Sequence, residues 1–225
     1  MRDSTFTDKD VIRLSLDFVF VKLDSKKDSA IVDEYGVIGY PTVILFKSQG
    51  EEIDRIVGYA PPREFLKTVK SYLRGEGTMV DLEKKLKDKP SDLNLLYQMG
   101  EKYHDRGKYE EALTYYQKIM SLDPKNNGGE TDKALYRIAV IHQRQKENQE
   151  ALEKFQELIQ RFPESERRLD SEEYIPYIYA QMGDSTTALR LYEQILVDHP
   201  DLEEGERERV EKQIKQIKQI KQGKN

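Results

Sequence analysis

The sequence of 225 residues contains no cysteine, no tryptophan and only three histidines. Without cysteine, this polypeptide has no disulfides, no thiol nucleophile and no thiolate ligands for a metal. His104, His142 and His199 are not spaced as metal ligands, so we expect neither a metal site nor a cofactor. No Gly-rich phosphate loop or Ser-His-Asp arrangement is visible, and a catalytic site is not predicted for this chain.

Long apolar runs and a charge excess are also missing. No run approaches the roughly 18 apolar residues of a membrane-spanning helix, so no membrane span is expected. Residues 1–5 lack the apolar core of an export signal, which favours a cytoplasmic location for the chain as written. Lys and Arg number 37 against 42 Asp and Glu, so the formal net charge is -5. Nucleic acid is therefore not an expected partner.

The first 73 residues mix strand and helix signals. β-Branched and aromatic runs predict strands at residues 18–23, 42–46 and 52–57. Short helices are predicted at residues 29–35 and, opened by a pair of prolines, at residues 61–73. This order is typical of an α/β domain.

After the glycines of residues 75–77, the pattern becomes helical and repeats. A small residue precedes a proline by twelve residues in three copies: Ala112 and Pro124, Ala151 and Pro163, Ala188 and Pro200. A large aromatic residue follows each alanine by four positions: Tyr116, Phe155 and Tyr192. Recurrence of size at fixed offsets resembles the tetratricopeptide repeat (TPR) family, whose helical pairs stack into a solenoid.

Two features depart from that family's pattern. Pro176 lies inside the first helix of the third copy, where it removes a backbone hydrogen bond, so we expect it to kink or shorten that helix. Inserts at residues 126–129 and 165–167 lengthen the period, and we expect an irregular superhelix.

The segment Tyr40-Pro41-Thr42, ahead of a buried strand, resembles the second half of a thioredoxin-like domain. The resemblance implies a cis bond before Pro41 and a peptide-binding loop formed by Tyr40, Pro41 and Thr42. The first residues of the chain resemble the stretch that follows the Cys-x-x-Cys motif of bacterial thioredoxin-like domains. The central strand that carries this motif is not in the sequence, and we hypothesise that the natural chain extends upstream through it and through an export signal.

The resulting fold prediction is a two-domain α+β and all-α chain, in which a partial thioredoxin-like α/β domain precedes a TPR solenoid with a capping helix. The expected boundaries are, in chain order, the partial domain at 1–74, a linker or connecting helix at 75–90, the repeats at about 91–126, 131–165 and 169–202, and a capping helix with a frayed tail at 203–225.

The resemblance to TPR proteins implies a concave groove that holds a protein or peptide. The candidate groove residues are Tyr97, Glu101, His104, Lys133, Tyr136, Arg137 and Tyr177. Lys133 and Arg137 form half of the carboxylate clamp of some relatives, but Glu101 would repel a carboxylate, so we expect these cations to serve an acidic peptide instead.

Three functions remain open. The first is a TPR-type interaction scaffold that carries a cysteine-less, truncated thioredoxin-like domain. The second is a fragment of a bacterial thiol-disulfide oxidoreductase with a role in redox homeostasis, whose Cys-x-x-Cys lies upstream of Met1. The third is a degenerate paralogue that has kept only binding. The sequence does not determine the oligomeric state.

Overall fold

The computed structural model describes Met1 and residues 4–223, and its side chains as far as residue 220. The chain divides into two compact units, residues 1–118 and 119–225. The predictions made for the first three residues and the frayed tail fall partly on residues 2, 3, 224 and 225, which lie outside the described part of the chain.

The described part of the first unit contains a two-stranded sheet and six α-helices. Their bounds are α1 (Lys9–Arg13), α2 (Ser29–Glu34), β1 (Thr42–Phe46), β2 (Glu52–Val57), α3 (Pro62–Leu73), α4 (Met79–Asp88), α5 (Leu93–His104) and α6 (Tyr109–Leu122), the last of which crosses into the second unit.

Local side chains fix where these helices begin. The Asp8 carboxylate accepts hydrogen bonds from the N–H groups of Asp10 and Val11 at the start of α1. Thr78 and Asp92 cap α4 and α5 in the same way, which satisfies N–H groups that have no partner inside the helix.

The strands β1 and β2 pair antiparallel, from Thr42 opposite Val57 to Phe46 opposite Glu52, with an irregularity after Leu45. Gly50, at φ +85, occupies the turn between them. Both strands have the predicted bounds. The core against which α1 and α3 pack is formed by Val11, Leu45, Phe65 and Val69.

The strand predicted at residues 18–23 is wrong, because this segment has no regular secondary structure. Among the described residues the sheet contains β1 and β2 alone. A β-strand exists only when a neighbour accepts its hydrogen bonds, and apolar composition without that neighbour is not enough. The apolar side chains of the segment therefore face solvent, Val19 being 92% exposed.

The second unit is helical. Its helices are α7 (Thr131–Arg144), α8 (Asn148–Arg161), α9 (Arg168–Gln181), α10 (Ser185–Asp198) and α11 (Glu204–Gly223). The three helices α6, α8 and α10 each have 14 residues, and each ends two residues before a proline of the repeat.

The small residues of the repeat pack as predicted. Ala112, Ala151 and Ala188 are fully buried, as are the aromatic residues that follow them in the sequence. In the first repeat, a Cβ added at Gly100 would lie 2.5 Å from the Tyr116 ring. Only small side chains allow the paired helices to approach this closely.

Pro176 does not shorten α9, which has 14 residues like α7. Its ring is buried, so it contributes packing that offsets the lost hydrogen bond. The predicted capping helix is present as α11, with Val210 and Ile217 buried against α10.

The two inserts that lengthen the repeat meet at one buried carboxylate. Asp132, in the first turn of α7, accepts hydrogen bonds from the Asn126 amide at 3.0 Å and from the Ser165 hydroxyl at 2.5 Å. The Asp123 carboxylate holds the first insert through the N–H groups of Asn127 and Gly128. The inserts are therefore ordered parts of the second unit.

Candidate functional site

The thioredoxin-like half presents a loop around a cis peptide bond between Tyr40 and Pro41, as expected. The Pro41 carbonyl accepts a hydrogen bond from the Gly58 N–H at 2.8 Å, and the Thr42 hydroxyl donates to the Gly39 carbonyl. The Tyr40 side chain is 65% exposed. Tyr59, which follows Gly58, is also exposed, and the sequence analysis did not select it as a site residue.

A buried cluster of charges joins β2 to α5, and the sequence analysis missed it. The Asp54 carboxylate, 0% exposed, lies 2.8 Å from Lys102 Nζ and 3.0 Å from a guanidinium nitrogen of Arg106. It also accepts the N–H of Met79 at the start of α4. A buried charge is tolerated only when it is paired and hydrogen-bonded, as Asp54 is.

Glu52 and Arg55 complete this charge cluster. Glu52 pairs with Arg55 and with Arg106, both at 2.7 Å. Arg55 also donates to the Tyr35 carbonyl after α2. A sequence signal existed, because Lys102 and Arg106 lie four residues apart and the strand predicted at 52–57 carries three charged residues.

Tyr72 lies at the edge of the charge cluster. Its hydroxyl accepts a hydrogen bond from Lys102 Nζ at 2.8 Å. Burial raises the pKa of Tyr72, although the neighbouring Lys102 acts in the opposite direction. The thioredoxin-like half is thus attached to the first repeat through polar contacts rather than through an apolar interface alone.

Three of the predicted groove residues belong to the first unit. Tyr97 lies 5.9 Å from the Tyr116 ring, measured between centroids. Glu101 accepts a hydrogen bond from the Tyr116 hydroxyl, which gives it a structural partner. His104 was expected on an exposed face, but it is only 4% exposed, and neither ring nitrogen has a hydrogen-bond partner within the described chain. The expectation of an exposed His104 was therefore wrong. The ring of Tyr109 packs beside the His104 ring and helps to shield it from solvent.

The other four predicted groove residues, Lys133, Tyr136, Arg137 and Tyr177, lie in the second unit, and the two tyrosines belong to a row of neighbouring rings. This aromatic ladder consists of Tyr136, Phe155, Tyr174 and Tyr177, with neighbouring centroids 4.9 to 6.1 Å apart. Phe155 is buried, whereas Tyr177 at the end of the ladder is 37% exposed. The guanidinium of Arg167 lies over the Tyr136 ring at 5.5 Å. Tyr174 and Arg167 were not predicted, although Tyr174 lies three residues before Tyr177, about one helical turn.

Charged side chains lie beside the ladder or on the helices that carry it. Lys133 Nζ lies 3.3 Å from the Glu130 carboxylate. Arg209 of α11 binds Glu173 through two nitrogens, at 2.6 and 2.9 Å. Burial raises the pKa of Tyr136 well above 10, with smaller contributions from Tyr174 and Asp170, which Arg137 and Arg167 oppose.

The described residues contain no group of three or more His, Asp or Glu side chains that could hold a metal ion. Among the described helices, none is long and apolar enough to cross a membrane.

Family models match both halves of the sequence. Residues 1–73 match the thioredoxin-like domain, and residues 91–164 and 177–201 match two models of the tetratricopeptide repeat. The chain therefore carries a thioredoxin-like domain followed by TPR repeats, as predicted. No curated protein matches the chain.

Solved structures share the helical part of the fold. One is the Podosopora anserina putative kinesin light chain with nearly identical TPR-like repeats (TM-score 0.54, 15% identity, 72% of this chain and 83% of that one). A variant of that protein gives a TM-score of 0.55 at 14% identity, with the same coverage. MamA gives a TM-score of 0.48 at 21% identity, covering 74% of this chain and 98% of that one. The two likenesses above 0.5 show a TPR-like solenoid fold, and the TPR repeats support a role in protein interaction.

Proposed function

We propose that this protein is an interaction scaffold of the TPR type, in which the aromatic ladder of the second unit anchors a protein or peptide partner. The observation that carries the proposal is the ladder itself, which extends from the buried Phe155 to the exposed Tyr177. Aromatic side chains supply large contact areas and dominate many binding surfaces. The TPR matches support the same role.

The thioredoxin-like half serves in this proposal as a docked structural element. The charge cluster of Glu52, Asp54 and Arg55 with Lys102 and Arg106 attaches it to α5. The predicted boundaries, with a connecting segment at 75–90, remain a proposal. Limited digestion with trypsin tests them. Apart from cleavage in the irregular, exposed segment around Lys22, the first cleavage is expected after Arg74, beside the exposed Gly75-Glu76 turn, and earlier cleavage within a repeat would overturn the boundaries.

Selection from a displayed library of random peptides, with the full chain immobilised, tests the scaffold function. Wild type should enrich a family of related sequences. Replacement of the exposed anchor, Tyr177→Ser, should abolish this enrichment. The matched control is Tyr40→Ser, which removes an exposed tyrosine of the thioredoxin-like half and should leave enrichment intact. If Tyr40→Ser abolishes enrichment and Tyr177→Ser does not, the binding site is the cis-proline loop and the proposal fails.

A second candidate is a part in thiol–disulfide exchange. The thioredoxin-like match, the cis bond before Pro41 and the exposed Tyr40 beside it favour this function. The thiols would have to come from residues that are not in the printed sequence, since it has no cysteine. Intact mass of the protein from its native cells, before and after alkylation, tests this candidate. A mass of 26.4 kDa with no alkylated form would remove it.

A further inference from the structure

The acidic residues beside the aromatic ladder are neutralised from within the second unit. Glu173 on α9 is bound by two nitrogens of Arg209, and its side chain is only 13% exposed. Asp170, one turn earlier on α9, lies 3.7 Å from Arg209 and 3.4 Å from Arg167. Arg209 comes from α11, so the capping helix compensates the charges of the preceding repeat.

A row of cations lies along α7. Lys133 and Arg137 are four residues apart and therefore on one face of the helix, and Arg144 continues that face two turns later. Lys133 lies 3.3 Å from Glu130, but its side chain is 37% exposed. Arg137, Arg167 and Asp170 are the charged groups that act on Tyr136, and Arg209 is bound to Glu173, which lies four residues before Tyr177 on α9. Three cations against two carboxylates give a formal charge of +1 in a chain whose net charge is -5.

Building on the proposed function, we propose that the ladder binds a partner segment in which an aromatic or apolar side chain stands next to acidic residues. The apolar side chain packs against Tyr174 and Tyr177, and the acidic residues lie over Lys133 and Arg137. Charge complementarity of this kind selects partners and speeds their association.

Arg209 is a specificity-determining residue in this arrangement. Without its guanidinium, Glu173 and part of the Asp170 charge would be uncompensated beside Tyr177. An acidic segment would then meet like charges, and specificity depends on such repulsion as much as on attraction. Arg209 thus affects binding by neutralising Glu173, in addition to any direct contact with the partner.

The peptide selection described above tests the inference when the net charge of the enriched sequences is read. Wild type should enrich acidic sequences that contain an aromatic or large apolar residue. An enriched peptide is then synthesised with its own Glu and Asp residues, and again with Gln and Asn in their place, and both affinities are measured at low and high salt. The acidic peptide should bind more tightly, and salt should reduce its advantage.

Variants separate the roles of individual charges. Lys133→Gln and Arg209→Gln should each weaken binding of the acidic peptide by about 1.5-fold to fivefold, the range expected for loss of one partly exposed charge contact. Arg190→Gln, a matched change on the exposed face of α10, should have no effect. Adding Glu173→Gln to Arg209→Gln should restore most of the affinity, because the unpaired carboxylate is then gone.

The outcomes distinguish this inference from the function on which it rests. Enrichment of sequences without an acidic bias would overturn the charge selectivity and leave the scaffold function standing. Equal effects of Arg209→Gln and Arg190→Gln, or no recovery in the double variant, would overturn the role of Arg209. If wild type enriches nothing, both proposals fail.

Discussion

Gly100 lies where α5 crosses α6, against the ring of Tyr116. An added methyl group would come within 2.5 Å of a ring carbon that is fully buried and cannot move away. The same ring donates its hydroxyl hydrogen bond to Glu101, so a shift of Tyr116 would also disturb that bond. Close packing of α5 against α6 therefore requires a residue without a side chain at position 100.

We expect Gly100→Ala to lower the free energy of unfolding by about 1–3 kcal/mol, the usual effect of overpacking. Gly205→Ala is the matched control, because α11 contains Gly205 with no atom near its added Cβ. Alanine has a higher helix propensity than glycine, so Gly205→Ala should raise the free energy of unfolding by up to about 1 kcal/mol. Urea denaturation of both variants gives the two values, and a stabilised Gly100→Ala would contradict the packing described.

The partly buried phenol of Tyr136 should make the free energy of unfolding depend on pH in the alkaline range. Burial raises its pKa in the folded state above the ordinary value of about 10, so the folded protein holds the phenol proton more tightly than the unfolded chain does. This contribution is fully present below about pH 10, and it is lost as the pH rises above that value. Tyr192, also buried, has its pKa shifted in the same direction.

We therefore expect wild type to lose stability more steeply above about pH 10 than Tyr136→Phe does. Unfolding free energies of both proteins from neutral to alkaline pH provide the measurement, and each protein's own value at neutral pH is the reference. Parallel curves would show that the phenol of Tyr136 is not protected by folding.

At the scale of helices and strands, local patterns predicted most of the fold. The strands β1 and β2 have the predicted bounds, and the helices that carry Ala112, Ala151 and Ala188 end just before their prolines. These elements depend on residues close in sequence: periodic apolar positions, caps and breakers. The sequence also selected Tyr136 and Tyr177, which the structure brings to one ladder.

Features that depend on distant partners were not predictable in this way. The segment 18–23 has strand-like composition but no strand neighbour among the described residues, so it remains irregular. His104 is a polar residue of the kind expected at the surface, but the residues packed around it leave it only 4% exposed. The charge cluster joins residues about fifty positions apart, and no local pattern indicates which charges meet.

The pairing of α7 with α8 gives a prediction at this scale. Ala151 is fully buried in a core cluster with Ala139 and Phe155. We expect Ala151→Leu to cost about 1–3 kcal/mol, because the larger side chain would force the helices apart. Gln156→Leu, on the exposed side of α8, should change stability by less than about 0.5 kcal/mol. Thermal unfolding followed by circular dichroism compares the two, and equal melting temperatures would contradict a close helix crossing.

At the scale of the whole molecule, the charge cluster links the two architectures that lie within residues 1–118. Asp54 contacts α4 through Met79, and it contacts Lys102 of α5 and Arg106 just after that helix. Loss of this carboxylate would leave the buried Lys102 without its anionic partner and Arg106 with Glu52 alone, and it would affect both halves of the unit.

We expect Asp54→Asn to lower the free energy of unfolding by about 3–5 kcal/mol. Glu193→Gln, which breaks the exposed pair of Glu193 with Lys218, should cost no more than about 1 kcal/mol. Hydrogen exchange read by mass spectrometry should show that Asp54→Asn reduces protection in β2 and α5 alike. Reduced protection in β2 alone would mean that the two halves unfold independently.

The buried Asp132 limits how this repeat array can be recombined. Since its carboxylate is bound by Asn126 at the end of the first repeat and by Ser165 at the end of the second, the second repeat is matched to both of the inserts that flank it. The second repeat transplanted alone into another array would carry an acid that had lost its Asn126 partner. The smallest exchangeable cassette of this chain is therefore longer than one repeat, and a duplication that preserves stability has to copy both inserts together.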